Sequence, residues 1–383
     1  MISPPTVRDL PVEGRRVLLR ADLNVPLQDG RVADDARIGA SVPTIRHLRS
    51  RGARVVVVSH LGRPHGEVVP GLSLRPVAAR LAELLGEPVA FEPESGPVQM
   101  LENLRFDPRE ERNDPGYARE LAAHADLFVN DAFGAAHRAH ASTEGVAHLL
   151  PSAAGLLLES ELDAFERLLE APAHPFVVVI GGVKVADKIG VIDRFTGLAD
   201  TVLIGGAMAF TFLAAEGHRV GASRCEDDPG QAIARRAMVD AAARGCELVL
   251  PRDVVVADRF AVDAATRTVA ATAIPEGWMG LDIGPLTAAD YAHRLTGART
   301  IFWNGPMGVF EFEPFAAGTM AVARAVADAA AVSVVGGGDS VAAVNRAGVG
   351  DRITHISTGG GAALELVEGR TLPGVAALIG SGS

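Results

Sequence analysis

The chain reads as an α/β protein built from two parallel-sheet domains joined by a helix. Three observations predict this. Short apolar runs alternate with helix-period stretches along all 383 residues. Most of those runs are apolar throughout, as strands buried on both faces must be. Several end in a glycine pair or triple, the strand–turn–helix arrangement of an open sheet.

In chain order the strand candidates are residues 16–19, 55–59, 127–129, 176–180, 201–204, 248–250, 300–303, 332–335 and 353–356. Amphipathic helical patterns lie between them, as at 73–85 and 230–244. The joining helix spans 156–173. There Leu158, Leu162, Phe165 and Leu169 recur at three- and four-residue spacing, acids take the other face, and Pro172 and Pro175 stop the helix before the next strand. A chain of this length holds about two domains, which puts residues 1–172 in the first and 173–366 in the second.

Composition narrows the function classes. A hydrophobic fraction of 48% with 22% charged residues describes a chain that folds. Net charge is −11, and both halves are acidic: 19 arginines against 25 acids before residue 173, 17 cations against 22 acids after it. Neither half is a basic nucleic-acid domain, so an anionic ligand must be held by a local cluster. No apolar run approaches the ~18 residues of a membrane span, and the first residues lack the basic-then-apolar pattern of a signal peptide. Cys225 and Cys246 make neither a disulfide framework nor a metal-site spacing. A reduced, cytoplasmic protein without membrane or nucleic-acid partners is expected.

Of 36 cationic residues only two are lysines, Lys184 and Lys188, and both fall in Gly181-Gly-Val-Lys-Val-Ala-Asp-Lys188. GC-rich coding bias accounts for abundant arginine but not for this placement. An ammonium is a compact point charge where guanidinium is a planar fork, and a phosphoryl group in transfer is one reason to require it. Glycine turns recur beside this segment: Gly205-Gly206, Gly336-Gly337-Gly338-Asp339-Ser340 and Ser357-Thr-Gly359-Gly360-Gly361. Bare amides at a helix start form an anion site, and several in one domain point to a nucleotide with several phosphates. No Walker motif and no Gly-x-Gly-x-x-Gly is present. Asp339 reads equally as a Mg2+ ligand beside phosphates or as a plain helix cap. In the first half, arginines and histidines gather just past strand ends: Arg20-Ala-Asp22-Leu-Asn24-Val-Pro26, Ser59-His60-Leu-Gly-Arg63-Pro64, Glu102-Asn-Leu-Arg105-Phe106 and Asn130-Asp131 leading to His137-Arg138-Ala-His140. That pattern suits a small polyanion such as a phosphorylated acid.

These segments, together with Asp282-Ile-Gly-Pro285 and Trp303-Asn-Gly-Pro-Met-Gly-Val-Phe-Glu311, resemble the phosphoglycerate kinase family in order along the chain. The resemblance implies two Rossmann-like domains facing each other across a cleft, with residues 367–383 returning to pack on the first. It implies that Asp22, Asn24, Arg37, His60, Arg63, Arg105 and Arg138 hold 3-phosphoglycerate or 1,3-bisphosphoglycerate. Lys188, Gly206, Asn304, Pro306, Glu311, Gly337, Gly338, Asp339 and Ser340 would hold ADP or ATP, with Asp339 on the Mg2+ side. Arg37 and Lys184 would stabilise the phosphoryl group in flight, helped by amides near Gly338 and Gly360. A monomer is implied. Val183 stands where alanine or serine is usual, and Ser340 where threonine is common. The competing readings are a catalytically weak nucleotide-binding scaffold of the same fold, and a dehydrogenase, which the missing dinucleotide fingerprint disfavours.

Overall fold

The structure, a computed structural model, describes residues 4–380. The chain divides into two compact units. Unit one runs to Asp163 and takes in Gly361–Leu366 and the residues after Gly369; unit two is Ala164–Gly360 with Val367–Gly369. The division falls inside the joining helix, between Asp163 and Ala164, and the chain re-enters unit one at Gly361. The start of the helix belongs with unit one because Leu156 packs on that unit's core and the Leu156 amide donates to Thr44 Oγ1 at 3.1 Å.

Unit one is built on strands β1 (Arg16–Ala21), β2 (Arg54–Val58), β3 (Ala90–Phe91), β4 (Val98–Met100), β5 (Leu127–Asp131) and β6 (Ser152–Ala154). They form one parallel sheet in the order β3-β4-β2-β1-β5-β6. The chain builds outward from β1 to one side, then crosses back to add β5 and β6 on the other. In open α/β sheets such a reversal leaves a crevice at the carboxyl ends of the two central strands. Helices α1 (Ala36–Ser50) and α2 (Arg75–Leu85) cover one face, where Val17, Leu19 and Ala21 meet Ile38, Ile45 and Val77. Side chains alternate across a strand, so Leu18 and Arg20 point to the opposite face. Helix α3 (Leu156–Glu170) leads into unit two.

Unit two carries β7 (Phe176–Ile180), β8 (Thr201–Ile204), β9 (Glu247–Val249), β10 (Asp253–Ala257), β11 (Thr266–Ala270), β12 (Met279–Ile283), β13 (Thr300–Asn304), β14 (Val332–Gly336) and β15 (His355–Ile356). Six of these make a second parallel sheet, ordered β9-β8-β7-β13-β14-β15, whose reversal lies between β7 and β13. The remaining three form an antiparallel sheet, β11-β10-β12, with a bulge that slips Leu281 between the Val255–Asp282 and Val256–Gly280 pairs. Helices α4 (Asp228–Ala243), α5 (Ala317–Asp328) and α6 (Gly338–Ala347) pack around them. Trp303, Ile301, Val177 and Val179 centre the main core.

The chain then passes through α7 (Gly360–Val367) and ends the described region in α8 (Pro373–Gly380). Helix α8 is seated in unit one: Leu378 is fully buried, the Gly374 amide donates to the Ala136 carbonyl at 2.9 Å, and Asn130 Nδ2 donates to the Gly374 carbonyl at 3.1 Å.

Candidate active site

Both sheet reversals carry polar clusters at their carboxyl ends, and the two are chemically unlike. In unit one the cluster is made of side chains. Arg20, next to last in β1, is 1% exposed; its Nε donates to Ser142 Oγ at 2.8 Å, its Nη1 to the Ala21 carbonyl at 2.5 Å, and its Nη2 lies 3.1 Å from His60 Nδ1. Asp22, buried, accepts from Arg37 Nη1 at 3.1 Å, and Arg37 also donates to the Asn24 carbonyl. The Asn24 side chain in turn accepts from the Gly62 amide at 2.9 Å, tying the loop after β1 to the loop after β2. Arg105 donates to the Gly62 carbonyl at 2.8 Å and pairs with Glu111 at 3.1 Å. Asn103 positions Arg105 by accepting from both the Leu61 and the Arg105 amides. Arg138 is half-buried and donates to His137 Nε2 at 3.2 Å, while Arg63 is exposed.

Electrostatics follow from this packing of cations. Burial, then the Arg20 guanidinium, holds His60 well below the ordinary histidine range. His140 is pushed down to about 4, first by burial and then by Arg105 and Arg20. His137 is lowered by burial and by Arg138. All three rings are therefore neutral at physiological pH, and the positive charge of the site comes from its arginines. One carboxylate behind them is fully buried: Glu110 accepts from the Ser142 hydroxyl at 2.5 Å and the Ser142 amide at 3.0 Å.

In unit two the cluster is made mostly of backbone. The loops after β7, β8 and β13 touch without side chains between them. A Cβ on Gly181 would lie 2.0 Å from the Pro306 carbonyl oxygen. Gly206 has φ +67° and packs on Gly182. Only glycine fits such backbone-to-backbone contact. Lys188 Nζ donates to Asn304 Oδ1, and Asn304 Nδ2 donates to the Gly336 carbonyl at 2.8 Å, so the ammonium is fixed at the end of β13. Burial lowers the Lys188 pKa, opposed by Asp339, Asp187 and Glu368. Ser340 is buried and accepts from the Gly305 amide at 2.6 Å. Gly337, at φ +93°, precedes α6, whose first turn presents Gly338 and Asp339 to solvent. Beside these loops lies a pocket of about 510 Å³ with an apolar wall that includes Phe210, Val254 and Leu281, and a rim that includes Gly206, Pro306, Glu311 and Asp339. Lys184 is exposed on the loop after β7; the next amide, Val185, donates to Glu226 Oε2 at 2.5 Å. Gly360 takes φ +37° at the start of α7.

The structure thus brings together Asp22, Asn24, Arg37, His60 and Arg105 in one unit, and Lys188, Gly206, Asn304, Pro306 and Gly337 through Ser340 in the other. Arg20 opens the Arg20–Pro26 segment, yet nothing in the sequence marks it off from a surface arginine. Glu110 and Ser142 are equally unmarked, since a glutamate in a charged run reads as surface, and so is Asp282, which is 2% exposed and lines the pocket.

A cluster of arginines on one α/β unit and glycine turns at helix starts on another are the arrangement expected of a phosphotransferase, which moves a phosphoryl group between two anionic substrates. The chain matches the model of the family described as phosphoglycerate kinase over residues 7–370. It is 59% identical to the phosphoglycerate kinase of Rubrobacter xylanophilus, with 97% of each chain covered. To that of Roseiflexus castenholzii it is 54% identical, over 98% of this chain and 99% of that one. Among solved structures it is similar to the phosphoglycerate kinase of Coxiella burnetii (TM-score 0.91, 40% identity, covering 99% of this chain and 100% of that one). The Pyrococcus horikoshii phosphoglycerate kinase structure gives a TM-score of 0.84 at 34% identity, covering 98% and 99%. The chain belongs to the phosphoglycerate kinase family, and it is an enzyme, a phosphotransferase with a carboxyl group as acceptor.

Proposed function

We propose a division of labour for the family's reaction, the reversible transfer of a phosphoryl group between 1,3-bisphosphoglycerate and ADP that yields 3-phosphoglycerate and ATP. Unit one holds the phosphorylated acid and unit two the nucleotide. The observation that carries this reading is the contrast between the two clusters. Unit one offers guanidinium forks, which suit a compact polyanion. Unit two offers backbone amides beside an apolar-walled pocket, which suit phosphates attached to a base.

No general base is required. In the ATP-consuming direction the nucleophile is a carboxylate, ionised at neutral pH with an unperturbed pKa near ~3.5. In the other direction it is an ADP phosphate oxygen. Catalysis then consists of alignment and of cancelling charge on the group in transfer. Asp22 orients Arg37, and Arg37 and Lys184 meet the equatorial oxygens. Asn24, His60, Arg63, Arg105 and Arg138 hold the acid. Lys188, pinned by Asn304, meets the nucleotide phosphates, with amides at Gly337, Gly338 and Gly360 adding partial charge. Gly206, Pro306 and Glu311 line the nucleotide's pocket, and Ser340 fixes the Gly305 turn.

The residues also fit Mg2+. Among the described residues no group of three or more His, Cys, Asp or Glu could cage a metal ion. Asp339 offers one exposed carboxylate at the start of α6, which matches an ion held by one carboxylate, water and substrate phosphates. When bound, Mg2+ supplies neutralisation of the phosphate charge.

The enzyme is a cytoplasmic monomer that acts on small molecules. Cys225 and Cys246 are free thiols, and no described helix is long and apolar enough to cross a membrane. The test is phosphoryl transfer from ATP to 3-phosphoglycerate with Mg2+, read by a coupled dehydrogenase. Activity that vanishes with EDTA and in Lys184→Ala is expected. Absent activity with ADP binding intact would favour a scaffold.

A further inference from the structure

We propose that the buried chain Glu110–Ser142–Arg20 fixes His60 as a neutral ring with its proton on Nε2, so that His60 meets the acid as a hydrogen-bond donor and not as a cation. This rests on the placement of the acid on unit one.

The donor count decides it. The Ser142 amide donates to Glu110 Oε2, and Ser142 Oγ accepts from Arg20 Nε. The hydroxyl has one proton of its own, and it goes to Glu110 Oε1 at 2.5 Å. Glu110 thus accepts on both oxygens, an arrangement that the ionised form satisfies in full. Burial raises its pKa, and the Arg20 charge is the largest effect holding it down. Arg20 is then held at three points: Ser142, the Ala21 carbonyl and His60. A guanidinium has donors only. At 3.1 Å from Arg20 Nη2, His60 Nδ1 can take part only as an acceptor. A neutral imidazole whose Nδ1 is an acceptor carries its proton on Nε2.

Protonating Nδ1 would set N–H against N–H inside a shell that also contains Arg105, Arg37 and His140, all of which oppose a second charge. With His60 6% exposed, water cannot relieve that conflict. Glu110, Ser142 and Arg20 are thus positioning residues: none needs to touch the acid, and together they set which proton His60 offers it.

The experiment is a long-range 1H–15N correlation on full-length protein labelled at histidine, with the His60 signals identified by their loss in His60→Gln. The expected wild-type result is a pyridine-type Nδ1 and a pyrrole-type Nε2 that hold from about pH 8 to about pH 5.5, a unit below the ordinary histidine value. In Ser142→Ala the pattern should collapse toward tautomer exchange. KM for 3-phosphoglycerate should rise about tenfold, one hydrogen bond's worth, with kcat within about twofold. A wild-type ring that exchanges tautomers or titrates near the ordinary value would overturn the proposal, and this reading does not depend on the variant folding. So would a folded Ser142→Ala with the wild-type pattern. A fixed tautomer whose signals ignore saturating 3-phosphoglycerate would instead remove the acid from His60, defeating the placement while supporting the tautomer.

Discussion

Lys184 and Asp282 show how much can depend on single side chains. Lys184 is one of two lysines among 36 cations, and its loop is fastened one residue later by Glu226. Replacing the ammonium by a fork changes charge distribution and reach at once. Lys184→Arg should lower kcat at least a hundredfold while leaving the urea midpoint within error; a wild-type rate would refute the argument from lysine placement. Asp282 is buried and accepts from the Gly318 and Ile283 amides, and burial pushes its pKa up to about 7 from 3.8. The native state therefore binds this proton more tightly than the unfolded chain does. The stability it contributes is fully present below about pH 4 and is lost as pH rises through about 7. Asp282→Asn removes that titration. Between pH 5 and pH 8 its unfolding free energy should gain on the wild type's by a few kcal/mol, on the order of 1.4 per pKa unit. Equal pH dependence in both proteins would count against the shift.

At the scale of elements, the strands that the sequence made legible are those buried on both faces. Residues 176–180 and 201–204 appear as β7 and β8 with the bounds read from their apolar runs. β3 and β6 escaped because two or three residues carry no period. The sheet β11-β10-β12 escaped for a different reason. Its outer strand Thr266–Ala270 is largely exposed, and β10 begins just after a proline that closes the 248–250 run. The site was legible where chemistry and turn geometry share residues, as in Gly181, Lys188 and Gly337. It was illegible where burial gives a residue its role, as with Glu110. The glycine contacts make the sharpest claim here. Gly181→Ala places a methyl 2.0 Å from the Pro306 oxygen, so it should destabilise unit two by about 3 kcal/mol and weaken ADP binding at least tenfold. Urea denaturation and calorimetric titration would check both.

On the scale of the whole molecule, the two anion sites proposed above lie on a chain with net charge −11. Each is local: guanidiniums backed by buried acids in one unit, amides and one pinned ammonium in the other. Their ligands should therefore be separable by mutation. Arg63→Ala, an exposed change, should raise KM for 3-phosphoglycerate about tenfold and leave the Kd of ADP within about twofold. A parallel loss of both would contradict the division proposed for the two units. Salt should weaken the acid through the exposed arginines more than through buried Arg105.

The route of the chain has a bearing on its birth. Unit one is sewn from both ends of the sequence, and α8 fills a place against Asn130 and Ala136 that was laid down more than two hundred residues earlier. On the ribosome the unit that is first in sequence must wait, while Ala164–Gly360 has emerged before that last piece does. The second unit is then free to close ahead of the first, the reverse of the usual N-to-C order of co-translational folding. A released chain truncated after Gly369 should accordingly carry a protease-resistant second unit and a first unit still open to cleavage.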